Sequence, residues 1–182
     1  MTTYTIALFL HFLAVVAAFG ATSVLHSALF RMHKARRAAE ARDAVATVAR
    51  VAPRMPIFAL ALFLTGAWLT IQSWQWSAPW IDAGIVGLVV MVALGGVILR
   101  PRLMALRQAL GEGEGPLTAE QIALSRNTTL WVGAMIPPMI ATGIMFDMVT
   151  KPSMGMSLVF IAIAMAIGAV GGLRFARMPK PA

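Results

Sequence analysis

Residues 5–30 read TIALFLHFLAVVAAFGATSVLHSALF, and the seven that follow read RMHKARR. Twenty-six positions pass without a formal charge, interrupted only by His11 and His26, and then basic residues crowd in. At about 1.5 Å per residue, a helix of that length crosses a hydrocarbon core of about 30 Å with room to tilt. Backbone polar groups find no water there, so the chain must pair them within a helix. Four further runs have the same character, at 55–73, 80–99, 128–149 and 153–173. None alternates apolar and polar residues as the strands of a membrane barrel do. The expected fold is all-α: a polytopic membrane protein, one domain over 1–182, built as a five-helix transmembrane bundle with links 31–54 and 100–127.

Composition agrees. The chain has 182 residues, 59% hydrophobic and 12% charged, with a mean hydropathy of +0.80, far from the balance of a soluble enzyme. Its net charge of +8 and pI near 11.5 raise the question of nucleic acid. The basic residues answer it by position. Arg31, Lys34, Arg36, Arg37, Arg42, Arg50 and Arg54 follow run one, and none lies between runs two and three. Arg100, Arg102, Arg107 and Arg126 follow run three, Lys151 alone follows run four, and Arg174, Arg177 and Lys180 end the chain. Fourteen thus fall on one side and one on the other. This is the charge asymmetry that orients membrane helices, and it places the N-terminus outside and the C-terminus in the cytoplasm. Trp74, Trp76 and Trp80 form an aromatic belt at the outer end,. No nucleic-acid partner is expected; the lipid bilayer is one, and a homo-oligomer or larger membrane complex is another. Cysteine is absent, which removes disulfides and thiolate chemistry,. Met1 to His11 carries no Lys or Arg, so the first run is expected to be retained rather than cleaved as a signal peptide,.

The basic-side links hold structure of their own. Residues 31–51 lack Gly and Pro and are rich in Ala and Arg, so run one is expected to continue as a helix beyond the membrane,. That extension is either a solvated face or a docking surface. Gly111-Glu-Gly-Glu-Gly-Pro116 reads as a flexible interruption,. Thr118 and Gln121 then have the spacing of a capping box,.

His11 is the ionisable group deepest in a run, and such groups are expensive to bury. Neutral imidazole either ligates haem or hydrogen-bonds a neighbouring helix; His11 is therefore a candidate haem b ligand. His26 lies fifteen residues on, too far along the helix to share a metal ion or a haem with it, and its place near the headgroups suits a polar residue. His33, in the basic link, is expected to be solvated. Pro137 and Pro138 interrupt the middle of run four, where proline kinks or breaks a helix and frees carbonyls that something must satisfy,. Met154 and Met156 form a single Met-x-Met pair, a faint copper signal,. Ala164, Gly168 and Gly172 give run five a small-residue face for close packing, within the chain or between copies, and Gly95-Gly96 is read likewise,. No catalytic pair or metal cluster emerges.

Several motifs in order resemble a bacterial family of small predicted integral membrane proteins, known as a domain of unknown function. They are Leu10-His11 with Gly20, Thr65-Gly-Ala-Trp-Leu69, Pro79-Trp80, the Arg100-Pro-Arg102 exit, and Met148-Val-Thr-Lys-Pro152, similar to a Met-Val-x-Lys-Pro ending. The similarity spans most of residues 5–152 and implies no particular activity. A more distant likeness is to protoporphyrinogen-oxidase-type haem-pathway membrane proteins, which share an early His in the first helix. They also carry a Lys early in the third helix, where this chain reads Trp80-Ile-Asp-Ala-Gly84. That departure counts against the oxidase reaction, though not against a vestigial porphyrin-binding pocket. Three expectations follow: a non-enzymatic accessory or structural subunit of a membrane assembly, a haem-b protein ligated by His11, or a small-solute or metal permease built on the Pro137-Pro138 interruption.

Overall fold

The computed structural model describes residues 2–74 and 76–178 and is all-helical. Its helices are α1 (Thr3–Lys34), α2 (Ala38–Val51), α3 (Met55–Ser73), α4 (Pro79–Ala93), α5 (Arg100–Leu110), α6 (Ala119–Ser125), α7 (Thr128–Thr150) and α8 (Met154–Arg177). A 3₁₀ turn at Ala52–Arg54 fuses α2 to α3, and a π turn at Leu94–Leu99 fuses α4 to α5. Five rods result, each long and apolar enough to cross a membrane: Thr3–Lys34, Ala38–Ser73, Pro79–Leu110, Ala119–Thr150 and Met154–Arg177. The chain is a multi-pass membrane protein. Lys180, one of the fourteen basic residues counted above, lies outside the described residues.

Helices α7 and α8 form the tightest seam. A Cβ on Gly172 would stand 2.5 Å from the Val132 Cα and 2.7 Å from the Trp131 carbonyl oxygen; on Gly168 it would meet the Ile136 Cα at 2.7 Å. Ala164 continues the line, with its Cβ 3.3 Å from where one on Gly143 would stand. The small-residue face of run five is thus used inside the chain, where it lets two backbones approach. Helix α4 packs on α7 in the same way, through Gly87 against Ile140 and Ile144. Gly95 and Gly96 do not: a Cβ on either meets nothing within 4 Å, and both sit in the π turn. The cause of that turn is Pro101, whose ring would collide with the Val97 carbonyl in a regular helix. The wider turn pushes Ile98 into the space left by Gly133, where a Cβ would lie 2.5 Å from its Cγ2.

Helices α1 and α3 make an antiparallel hairpin, and the link after α1 departs from expectation. The helix does not run on through residue 51. It stops at Lys34, the chain turns at Ala35–Arg37, where Ala35 and Arg37 take ψ of 136° and 150°, and α2 folds back along α1. Tertiary pairing makes this turn without Gly or Pro. The Ala38 N–H donates to the Gly115 carbonyl at 2.9 Å and the Leu117 N–H to the Arg36 carbonyl at 3.1 Å. Arg37 Nε donates to the Glu114 carbonyl at 3.1 Å, and Arg42 to that of Gly113. The 111–116 stretch, expected to be flexible, is therefore clipped to the start of α2. Thr118 and Gln121 do close their capping box, at 3.2 and 3.0 Å.

The largest buried apolar cluster sits at this basic end. It joins Leu25, Leu29 and Met32 of α1 to Val45 and Val48 of α2, Leu106 and Leu110 of α5, Trp131 of α7 and Ala176 of α8. By contrast, most of α1 before Leu25 is exposed and α3 has Thr70 as its one fully buried residue, as in helices with a lipid-facing side.

Gly172→Leu must displace backbone, so it should cost at least the roughly 1–3 kcal/mol of an overpacked core. Gly171→Leu, whose Cβ meets nothing within 4 Å, should leave thermal unfolding in detergent unchanged. A second expectation concerns Glu40. Its Oε2 accepts from the Arg36 and Arg37 backbone N–H groups at 2.9 and 3.4 Å, and these bonds hold the carboxyl below the usual carboxylate range. A depressed folded pKa stabilises fully above the unfolded value, about 4.3, and the contribution vanishes as pH falls through the folded one. Glu40→Gln should therefore lower the melting temperature at neutral pH, and its deficit should shrink as pH falls below the unfolded value and through the folded one.

Candidate functional site

The polar side chains at membrane depth are few, and most of them bind backbone or a neighbouring helix. His11 is half-buried on α1, with Nδ1 2.9 Å from Thr65 Oγ1 on α3. The Thr65 hydroxyl donates to the Ala61 carbonyl at 2.6 Å, so it accepts from the His11 Nδ1–H,. That fixes the tautomer and leaves the Nε2 lone pair uncommitted. The ring lies over Gly66, where a Cβ would meet its Cε1 at 3.3 Å. Next to it is an open groove of 320 Å³ lined by Thr3, Ile6, Ala7, Leu10, Leu64, Thr65 and Trp68, without His11 itself.

His26 does more than its position suggested. Pro138 has no N–H, so the Ala134 carbonyl loses its partner within α7, although the helix runs unbroken from Thr128 to Thr150 through both prolines,. His26 Nε2 lies 3.0 Å from that carbonyl oxygen across the α1–α7 gap and Nδ1 lies 2.9 Å from the Thr22 carbonyl; both oxygens accept, so a proton on Nε2 serves Ala134 and a proton on Nδ1 serves Thr22,. The Pro137-Pro138 interruption and His26 are thus one structural unit. The signal for it was in the sequence: a proline four residues after Ala134 predicts an orphan acceptor, and a polar residue near the same depth is the natural donor.

His33 corrects an expectation. It is 4% exposed rather than solvated, and sits edge-on to the Trp131 ring with centroids 5.2 Å apart. Trp131, Phe30 and Phe175 meet pairwise, with centroids 6.0 Å (Trp131–Phe30), 5.3 Å (Trp131–Phe175) and 4.8 Å (Phe30–Phe175) apart, and Trp131 donates its Nε1–H to the Ser125 carbonyl at 2.9 Å. At the opposite end, Asp147 is 0% exposed and faces Ser157, itself buried, across the α7–α8 seam. The nearby Lys151 instead lies over the Trp74 ring at 4.7 Å, and Trp74 meets Trp80 edge-on,. Met154 and Met156 are exposed. Among the described residues no group of three His, Asp or Glu side chains converges as a metal site.

His11 is the one histidine at its depth, its ring packs over Gly66, and neither α1 up to Phe30 nor α3 carries a Lys or Arg. Comparison with protein-family models, curated proteins and solved structures returns no match.

Removing the His26 donor should cost the roughly 1–3 kcal/mol of an orphaned buried acceptor. In a Pro138→Ala background the restored N–H serves Ala134, so His26→Leu should cost much less there. A double-mutant cycle in detergent should return about 1 kcal/mol or more of coupling; equal losses in both backgrounds would refute the pairing.

Proposed function

We propose that the chain is a non-enzymatic accessory or structural subunit of a membrane assembly. It would lie in a bacterial inner membrane with its N-terminus outside and its C-terminus in the cytoplasm. The observation that carries this reading is the use made of the intramembrane histidines. His11 ties α1 to α3 through Thr65, and His26 ties α1 to α7 through the carbonyl that Pro138 frees. Both bonds serve to hold helices together, the ordinary work of polar residues in a bilayer. The same pairing weighs against a permease, since one of the two carbonyls that the prolines free is already occupied. The charge asymmetry supports the orientation, and the resemblance to small bacterial membrane proteins supports the compartment. The clipped α2–α5–α6 layer on the basic side gives an assembly a preformed surface to meet.

The test is an optical spectrum, oxidised and dithionite-reduced, of protein purified in mild detergent from haem-replete cells, followed by native electrophoresis. A colourless protein migrating with defined partners or copies is expected, and His11→Leu should keep that migration. A Soret band near stoichiometric occupancy that His11→Leu abolishes would overturn the proposal in favour of haem.

A further inference from the structure

Phe30 of α1 and Phe175 of α8 meet with ring centroids 4.8 Å apart at the basic end. Both helices run toward that end, and each residue adds about 100° of rotation and 1.5 Å of rise,. Measured from the two rings, His33 lies about 60° back on α1 and Gly172 about 60° forward on α8. Both touch α7: His33 packs edge-on to Trp131, and a Cβ on Gly172 would stand 2.5 Å from the Val132 Cα. Arg31 is one residue past Phe30, about 100° forward, and Arg174 one residue before Phe175, about 100° back,. On facing parallel helices those two rotations point the same way, to the side opposite α7. Arg31 and Arg174 therefore flank one gap on the outer surface of the bundle, about 3 Å apart along the axis.

Both arginines are exposed, as is Lys34, about 40° forward on α1,. Among the described residues none of the three makes a hydrogen bond or an ion pair. About two turns toward the membrane centre, the same side of each helix is apolar and open. Val24, about 120° forward on α1, is 46% exposed, and Ile167, about 80° back on α8, is 58% exposed,. The gap thus meets acyl chains at that depth and headgroups at the level of the arginines. Positive charge is in excess there. Residues 31–43 hold five Lys or Arg against Glu40 and Asp43, which lie on the α2 side of Arg31 and Lys34. Glu40 is already held by the Arg36 and Arg37 backbone. Arg174 makes six cations, and counting Glu112 and Glu114 of the clipped stretch raises the carboxylates only to four. Helix α8 itself carries no carboxylate. An anion at headgroup depth answers this excess, and in a bilayer that anion is a phospholipid phosphodiester whose charge no ammonium offsets.

We propose that the α1–α8 gap binds the headgroup of an anionic phospholipid, with its phosphodiester between Arg31 and Arg174 and Lys34 beside it. The proposal rests on the membrane-spanning fold, not on the accessory role. Native mass spectrometry of the full chain, released from mixed micelles holding equal phosphatidylglycerol and phosphatidylethanolamine, tests it. Retained phosphatidylglycerol should exceed phosphatidylethanolamine about fivefold, the order of one basic residue at an anionic surface. Arg31→Gln and Arg174→Gln should each bring retention of the two lipids close to equality. Arg177→Gln removes the same charge from the same helix end, but about 200° forward of Phe175, facing away from the gap. It should leave the preference intact. Circular dichroism checks that all three variants keep the helical fold. Equal retention by the native chain would overturn the proposal. A preference that survives loss of Arg31 and Arg174 together would do the same, as would an Arg177→Gln loss as large as that of Arg174→Gln. Displacement of the lipid by soluble glycerophosphoglycerol at matched concentration would also overturn it, since the site would then be one for a free phosphate ester.

Discussion

Backbone-to-backbone approach of α8 on α7 is the constraint around which the other helices arrange themselves. In lipid there is little hydrophobic gain from bringing two apolar helices together, so association depends on close packing. Gly168 and Gly172 remove the side chains that would keep the pair apart. With α8 seated on one side, against Gly143 as well, α7 offers Gly133 as a recess to another neighbour, and the α4 rod enters it with Ile98. Helix α7 is the post of the bundle because its small residues face more than one neighbour.

A post of this kind carries a defect. Two consecutive prolines deny α7 a pair of internal hydrogen bonds, and the protein repairs one of them from outside the helix. The repair lies on α1, which also meets α7 where Phe30 and His33 pack on Trp131. His26 thus adds a polar tie, deeper in the membrane, between the α1–α3 hairpin and the three-helix bundle. The hairpin needs such a link, because most of its outer half faces lipid.

The existence of five membrane rods was legible in the length and charge of the apolar runs, since both quantities are local. What escaped was whatever depends on residues far apart. Residues 31–51 contain no helix breaker, and local propensity argues for one continuous helix; the turn at Ala35–Arg37 is held by Gly115 and Leu117, some eighty positions away. The glycine-rich 111–116 stretch reads as loose for the same reason, its partners lying on α2. His26 seemed to need no explanation because its acceptor, Ala134, is 108 residues distant. His33 looked solvated beside Arg31 and Lys34, yet the turn of the helix aims it at Trp131. The close pairing of Ala164, Gly168 and Gly172 with α7 was visible as a face, but not as a choice of partner.

The buried cluster at the basic end ties Leu25 and Leu29 to Ala176, nearly the whole length of the chain. Ribosomes add about 5–20 residues per second, so the first contributors to this core wait on the order of 7–30 s for the last. During that interval the amphipathic α2 has its apolar face uncovered, and the α1–α3 hairpin is held chiefly by its own contacts. Biogenesis is therefore the stage at which this protein is most exposed to insertase, chaperone and membrane protease. A chain truncated before α8 would remain in that unfinished state.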